Sequence, residues 1–383
     1  MSEIALDFAS TLDSMIEEMD QVIAALPAVS SLHRYFSWRS SAEGPPVEFP
    51  DGSAWNNRII PELRYPLGVL SHVQREMPGA TLRFYFTKNP YELPEYGKEV
   101  VAVLWQEERC KIPTYARHVR GVIHCCLQVR PFLGFQPRLG LNKYEAVLAF
   151  QYVRDSALHL RSRYHVRHVP KDWPRALHDS PRVLTVPLGY HSQEELSQIP
   201  MAERRLDAFF TGGLHNPIPR TDYRHWTTDS RTQARRQLWK ILLELRKDPE
   251  WRIEMADIAG GGTITQLPEF HSYSSKMMNS RICLAPRGTM AETFRHYEGW
   301  RAGCLVISNM LPPEPFLEGA PAIQLDNWKE LPALMKKYAR DIDALEHYRK
   351  AGLDFWRTRL SERIIGSQVA AFLKANGHQP TKL

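Results

Sequence analysis

The sequence predicts an α/β protein of two doubly wound domains, each a parallel sheet flanked by helices. Three observations carry that expectation. The chain has 383 residues, enough to bury two separate cores. Short apolar runs alternate with helical patterns in both halves, the pattern of a parallel sheet with crossover helices. Residues 280–309, SRICLAPRGTMAETFRHYEGWRAGCLVISN, spell strand, loop, helix and strand in immediate succession.

The elements follow in order. The first 26 residues carry Ile4, Phe8, Leu12, Met15, Met19, Val22 and Leu26 at spacings of three and four, one apolar stripe of a helix that ends at Pro27. Residues 40–63, rich in Pro, Gly, Ser and Asn, read as loop. Buried strands are expected at 81–86 and 100–105, helical patterns at about 114–125 and 144–164, and a strand at 182–186 before the turn Pro187-Leu188-Gly189. The second half is clearer. Strands are expected at 208–211, 251–258, 282–285, 304–308 and 322–325, and helices at 232–245, 271–279, 293–302 and 328–338. Helical patterns at 341–351 and 361–375 close the chain.

Composition bounds the function. At 43% hydrophobic and 24% charged, the chain is neither disordered nor a collagen-like fibre. A formal net charge of +6 suits anionic substrates or a membrane surface and is too diffuse to point to nucleic acid. The five cysteines, at positions 110, 125, 126, 283 and 304, form no C-x-x-C pair, which argues against a disulfide framework or a zinc knuckle and for a reducing compartment. The acidic, charge-punctuated start lacks the pattern of a signal peptide, and no run reaches about 18 apolar residues. The expected location is cytoplasmic, with peripheral contact at the inner face of a membrane left open.

The chemistry concentrates in residues 280–309. The loop Pro286-Arg287-Gly288-Thr289 lies at the carboxyl end of an expected parallel strand, where open α/β sheets bind ligands. Gly288 permits a sharp turn, and the amides opening the next helix attract anions. Arg287 and Arg295 add positive charge with donors suited to phosphate. Arg295 and Glu298, three apart, share a helix face. A cation followed by a carboxylate suits a nucleoside diphosphate, with Arg on phosphate and Glu on ribose hydroxyls. Gly303 stands where a helix-ending glycine belongs.

Cys283, Pro286, Gly288, Thr293, Arg295, Glu298, Gly303, Cys304 and the strand at 305–307 resemble the signature of the exostosin-like glycosyltransferases: C-x-x-P-x-G, then S/T-x-R-x-x-E, then G-C and a hydrophobic strand. The match covers about residues 273–325 and is weak in the first half. Gly299 replaces the usual small Ala, and Glu292 sets an acid beside the phosphate loop, where it would repel a diphosphate unless paired with Arg287 or Arg295. The resemblance implies a GT-B architecture, two Rossmann-like domains facing across a cleft. Residues 1–198 would form the acceptor-side domain, 199–352 the nucleotide-sugar domain, and 353–383 a helix returning to the first. It further implies an inverting transferase with a nucleoside diphosphate sugar donor, expected to be UDP-linked, and a glycan or glycolipid acceptor. No cofactor and no metal would be needed, the leaving diphosphate being held by Arg287, Arg295 and the helix N-terminus. Phe209-Phe210-Thr211-Gly212-Gly213-Leu214-His215-Asn216 resembles the family's first donor-domain strand and loop, so Gly212 and Gly213 join Gly288, Thr289 and Thr293 as donor-site residues. Arg235 and Arg236 follow on the next helix.

The general base should come from the first domain. Glu107 and Glu108, after the strand at 100–105, are the candidates, with His118 and His215 behind them. Asp341-Ile342-Asp343 spells the D-x-D of metal-dependent transferases but lies in a charged helix, and Gly260-Gly261-Gly262 lacks the G-x-G-x-x-G order. His165 and His168 lack a nearby carboxylate to complete a metal site. The basic run from Arg161 to His168 reads as solvated surface or a contact for an anionic acceptor or lipid phosphate. Two other classes remain: a non-catalytic glycan- or nucleotide-binding module, and a polyol-phosphate transferase using a CDP-linked donor.

Overall fold

The computed structural model describes residues 33–38, 40–48, 64–105, 113–125, 177, 182–191, 197–214, 230–257, 271–288, 291–312 and 314–377. Two sheets organise them. The first has the order β2-β1-β3-β4-β5-β6, with β1 Arg34–Ser37, β2 Val47–Glu48, β3 Arg83–Phe86, β4 Gly97–Leu104, β5 Val119–Cys125 and β6 Val183–Val186. Only the β1–β2 pairing is antiparallel, joining Phe36 to Glu48. Helix α1, Arg64–Glu76, precedes β3 and buries Tyr65, Val69, Leu70 and Val73.

The second sheet is wholly parallel, in the order β11-β10-β9-β7-β8. Its strands are β7 Leu206–Thr211, β8 Ile253–Ala256, β9 Ser280–Ala285, β10 Leu305–Asn309 and β11 Ala322–Leu325. The connecting helices are α2 Ser230–Leu245, α3 His271–Met278, α4 Phe294–Arg301 and α5 Leu331–Tyr338. The chain runs from β7 outward to β8, then crosses back to lay β9 on the other side of β7. That reversal opens a crevice at the carboxyl ends of β7 and β9, the place where open α/β sheets take ligands. The mixed α/β architecture with two Rossmann-like parallel sheets is the one expected from the sequence.

Helix α6, Ile342–Phe355, leads through a π-helical turn, Trp356–Leu360, into α7, Glu362–Gly377. Helix α7 packs on α1 and β5: Arg120 Nε donates to the Leu373 carbonyl at 2.8 Å, and Tyr65 Oη donates to the Leu360 carbonyl at 2.5 Å. One buried cluster runs from Phe84, Val101 and Ile123 under the first sheet, through Tyr65, Tyr190 and Trp356, to Trp300, Cys283 and Val306 under the second.

The helix expected at 114–125 is a correction. Residues 113–118 turn, and Val119–Cys125 is the strand β5 between β4 and β6. Its side chains are buried on both faces, so it lacks the alternation that marks a half-buried strand. The segment at 328–338 begins as a short 3-10 turn, Trp328–Glu330, before α5. No expected element corresponds to strands β1 and β2 or to helix α1, and β2 falls within residues 40–63, where loop is expected. The expected helices at 1–26 and 144–164, the run 161–168 and the glycines 260–262 lie outside the described residues. Among the described residues no helix is long and apolar enough to cross a membrane, and Cys125, Cys283 and Cys304 are buried thiols outside any disulfide.

Candidate functional site

Two segments that lie 84 residues apart in sequence meet at the crevice. Arg295, in the first turn of α4, reaches across to the end of β7, where its Nη2 donates to the Thr211 carbonyl. The guanidinium lies 5.4 Å from the Phe210 ring centre. Gly212 makes this approach possible: it sits at φ +157°, and a Cβ there would collide with Arg295 Nη2. Arg295 Nε is buried and has no hydrogen-bond partner among the described residues, leaving a donor for an anion. The β7 loop is further held by Arg235 from α2, whose Nη1 donates to the Gly213 carbonyl at 2.8 Å, and by Asp257, which accepts from the Leu214 amide at 3.0 Å. Cation and glycines therefore form one unit, although the sequence presents them as two motifs.

The loop after β9 is pinned from the neighbouring strand. Asn309, the last residue of β10, accepts from the Arg287 amide at 3.1 Å and from Trp328 Nε1 at 3.1 Å through the same side-chain oxygen. Arg287 and Gly288 are half-buried at the mouth of the crevice, and Thr289 lies outside the described residues. Thr293 is the N-cap of α4, with extended backbone at φ −143°, and its amide donates to His296 Nδ1 at 3.0 Å. A histidine thus fills the third helical position, where Glu or Gln more often closes a capping box. Burial pushes the His296 imidazole down to about 4, so it stays neutral and keeps accepting at Nδ1.

Glu298, one turn further along α4, points inward and is 3% exposed. One carboxylate oxygen accepts from the His191 amide at 3.2 Å, and the other accepts from the Tyr273 hydroxyl. His191 belongs to the strap 187–191 that leaves β6, so the two sheets touch here; its ring packs edge-on to Phe294 at 5.2 Å. Burial, reinforced by the Glu298 charge, pushes the Tyr273 phenol well above its ordinary value and keeps it a donor. Glu292, the acid beside the phosphate loop, is buried and accepts from the Tyr297 hydroxyl.

Among the sequence candidates, Gly212, Gly213, Arg287, Gly288, Thr293 and Arg295 gather around the β7/β9 crevice, with Glu298 behind them. Glu107, Glu108, Thr289 and His215 lie outside the described residues. His118 stands at the amino end of β5, away from the strand ends that carry the loops. Asp341 is the N-cap of α6, accepting from the Ala344 amide at 3.0 Å. Among the described residues no group of three or more His, Cys, Asp or Glu side chains is placed to hold a metal ion. Sequence reasoning missed His191, Tyr273 and Asn309. His191 contributes a main-chain amide, which leaves no mark in a sequence, whereas Asn309 carried a usable signal as a polar residue ending a buried strand.

No family model matches the chain, and no curated protein matches it. Among solved structures it is similar to one described as the crystal structure of the GtfA/B complex, with a TM-score of 0.35 and 9% sequence identity. That likeness covers 74% of this chain and 58% of the other, so the chain spans less than two thirds of that protein's length.

Proposed function

We propose that this chain is a glycosyltransferase whose donor is a nucleoside diphosphate sugar seated at the β7/β9 crevice. The observation that carries the reading is the Arg295 guanidinium, delivered from the start of α4 to the carboxyl end of β7 over a glycine that leaves it room. Helix N-terminus, arginine and glycine loop at a strand-order reversal are the elements of a pyrophosphate site. Arg287 and Arg295 hold the two phosphates, Gly212, Gly213 and Gly288 let backbone approach them, and Thr289 and Thr293 add hydroxyls. Glu298 takes the ribose hydroxyls.

In the proposed reaction an acceptor hydroxyl oxygen attacks the anomeric carbon as the bond to the β-phosphate oxygen breaks, inverting the configuration in one in-line step. The hydroxyl proton passes to a base from the first half, Glu107 or Glu108. The leaving diphosphate takes the bonding electron pair, and its growing charge is met by Arg287, Arg295 and the α4 amides. No metal or cofactor is needed in this scheme. The proposed division is 1–198 for the acceptor side, 199–352 for the donor and 353–383 for the returning segment. The expected donor is UDP-linked, the acceptor a glycan or glycolipid, and the setting cytoplasmic or at the inner membrane face, without nucleic acid.

Incubation with UDP-, CDP- and GDP-linked sugars, with nucleotide release followed with and without glycan acceptors, tests the reading. Release from a UDP-sugar supports it. Binding without turnover or hydrolysis identifies a binding module instead, and transfer of a polyol phosphate from a CDP-linked donor identifies the other class of transferase.

A further inference from the structure

Glu298 raises a question that the proposed ribose contact leaves open. A carboxylate that is 3% exposed is not oriented by solvent; what it can accept from is decided by its protein neighbours. Among the groups that hold it are two hydrogen-bond donors that differ in kind. The Tyr273 hydroxyl comes from α3, inside the same half of the molecule as α4, and its ring is wedged against Phe209 of β7 at 5.4 Å. The His191 amide comes from the strap of the other half, at 3.2 Å, the long end of a hydrogen bond.

The chemistry of the two donors also differs. The Tyr273 phenol, kept protonated by burial and by the carboxylate it faces, donates its only proton to Glu298. Hydrogen bonds to an ionised acceptor are short and directional, so this one fixes the plane of the carboxylate. The amide bond, at 3.2 Å, is the longer of the two and the one that a ligand hydroxyl would replace.

We propose that Tyr273 is a positioning residue for the donor site: its hydroxyl sets the Glu298 carboxylate to receive a ribose hydroxyl, which takes the place of the His191 amide. The proposal rests on the reading of Glu298 as the ribose ligand. It gives the site its selectivity for ribonucleotides, because a nucleotide lacking those hydroxyls brings no donor to the oriented carboxylate, which then keeps the His191 amide.

The test is calorimetric titration with UDP and with 2′,3′-dideoxy-UDP, on the full chain and on Tyr273→Phe, which keeps the ring against Phe209. The wild type should bind UDP at least about tenfold more tightly than the dideoxy form, a difference of about 1.4 kcal/mol. In Tyr273→Phe the ratio should fall below about threefold, through weaker UDP binding and with dideoxy-UDP affinity nearly unchanged. A residue that only supports the fold would shift both affinities together and leave the ratio intact, which overturns the proposal. If the wild type itself shows no preference, the ribose contact and this inference fail while the pyrophosphate reading stands. If neither nucleotide binds, both fail. Tyr273→Met fills the same space without a donor and gives the same comparison should the phenylalanine variant not fold.

Discussion

Arg295 and Gly212 define each other. A solvated helix arginine tolerates most neighbours, but this one occupies the volume where any Cβ at position 212 would lie. Arg295→Ala should therefore weaken nucleoside diphosphate binding, and in turnover lower kcat/KM by about 10²–10³, the usual loss for one donor at a developing anion. Gly212→Ala should give much of the same binding loss by displacing the guanidinium, with a stability loss of about 1–3 kcal/mol, since alanine is strained at φ +157° even where the flexible guanidinium yields. Titration and thermal unfolding of the two variants separate these effects; a Gly212→Ala protein with wild-type affinity would contradict the geometry. Two buried histidines contribute to the acid response. His33, whose Nδ1 accepts from the Leu82 amide, and His296 are both pushed by burial to about 4 from an ordinary 6.5, with the charges of Arg120 and Arg295 adding to the effect. Both groups bind protons more readily unfolded than folded, so their contribution is full above pH 6.5 and is lost as pH falls toward 4. For the fully buried His296 the loss by pH 5 is on the order of 2 kcal/mol. The melting temperature should fall between pH 6.5 and 5, and His296→Asn should flatten that slope; a wild-type melting temperature constant across the window would contradict the assignment. Both halves of the Arg295–Gly212 pair stand out in the sequence as motifs, but their meeting does not, because 84 residues separate Arg295 from Thr211 and only the sheet order brings them together.

At the level of elements, α4 is held at both ends by buried polar groups. Its start is closed by Thr293 and His296. Beyond its end, Arg204 donates Nη2 to the Ala302 carbonyl at 2.7 Å, Nη1 to the Ser280 carbonyl at 2.7 Å and Nε to the Ile199 carbonyl at 3.0 Å. A buried cation on the carboxyl end of a helix complements the dipole, and its removal leaves three carbonyls to be satisfied otherwise. Arg204→Met should lower stability by about 3 kcal/mol, or several degrees in melting temperature, while nucleotide affinity well below the transition stays at the wild-type level. Unchanged stability would show that the carbonyls find other partners. The sequence made α4 and its flanking strands legible, because Gly303 ends the helix at φ +68° and β9 and β10 are short apolar runs. It misled at β5, whose burial on both faces erases the period of two. Helix α1 was hidden by Pro66 and Gly68, both poor helix residues, although proline is tolerated in a first turn.

The molecule as a whole is tied together through aromatic side chains. Tyr65 packs against Trp105, Tyr190 and Trp356, and Arg301 of α4 lies 4.4 Å from the Tyr190 ring centre. Because one buried cluster is shared by both sheets, the two halves should unfold in a single calorimetric transition; two well-separated endotherms would contradict a common core. That two sheets exist was legible from the alternation of strands and helices. How they join was not, since Tyr65, Tyr190 and Trp356 sit in unremarkable contexts and acquire their role only when the π-helical turn at Trp356–Leu360 brings α7 back onto β5. The central claim is that the β7/β9 crevice grips the pyrophosphate of an activated sugar. Calorimetric titration of UDP into the wild type and Arg295→Ala tests it most directly: saturable one-to-one binding, weakened at least about thirtyfold in the variant, a loss of about 2 kcal/mol, is the expected result. Equal affinity in the two proteins, or no binding to either, would contradict it.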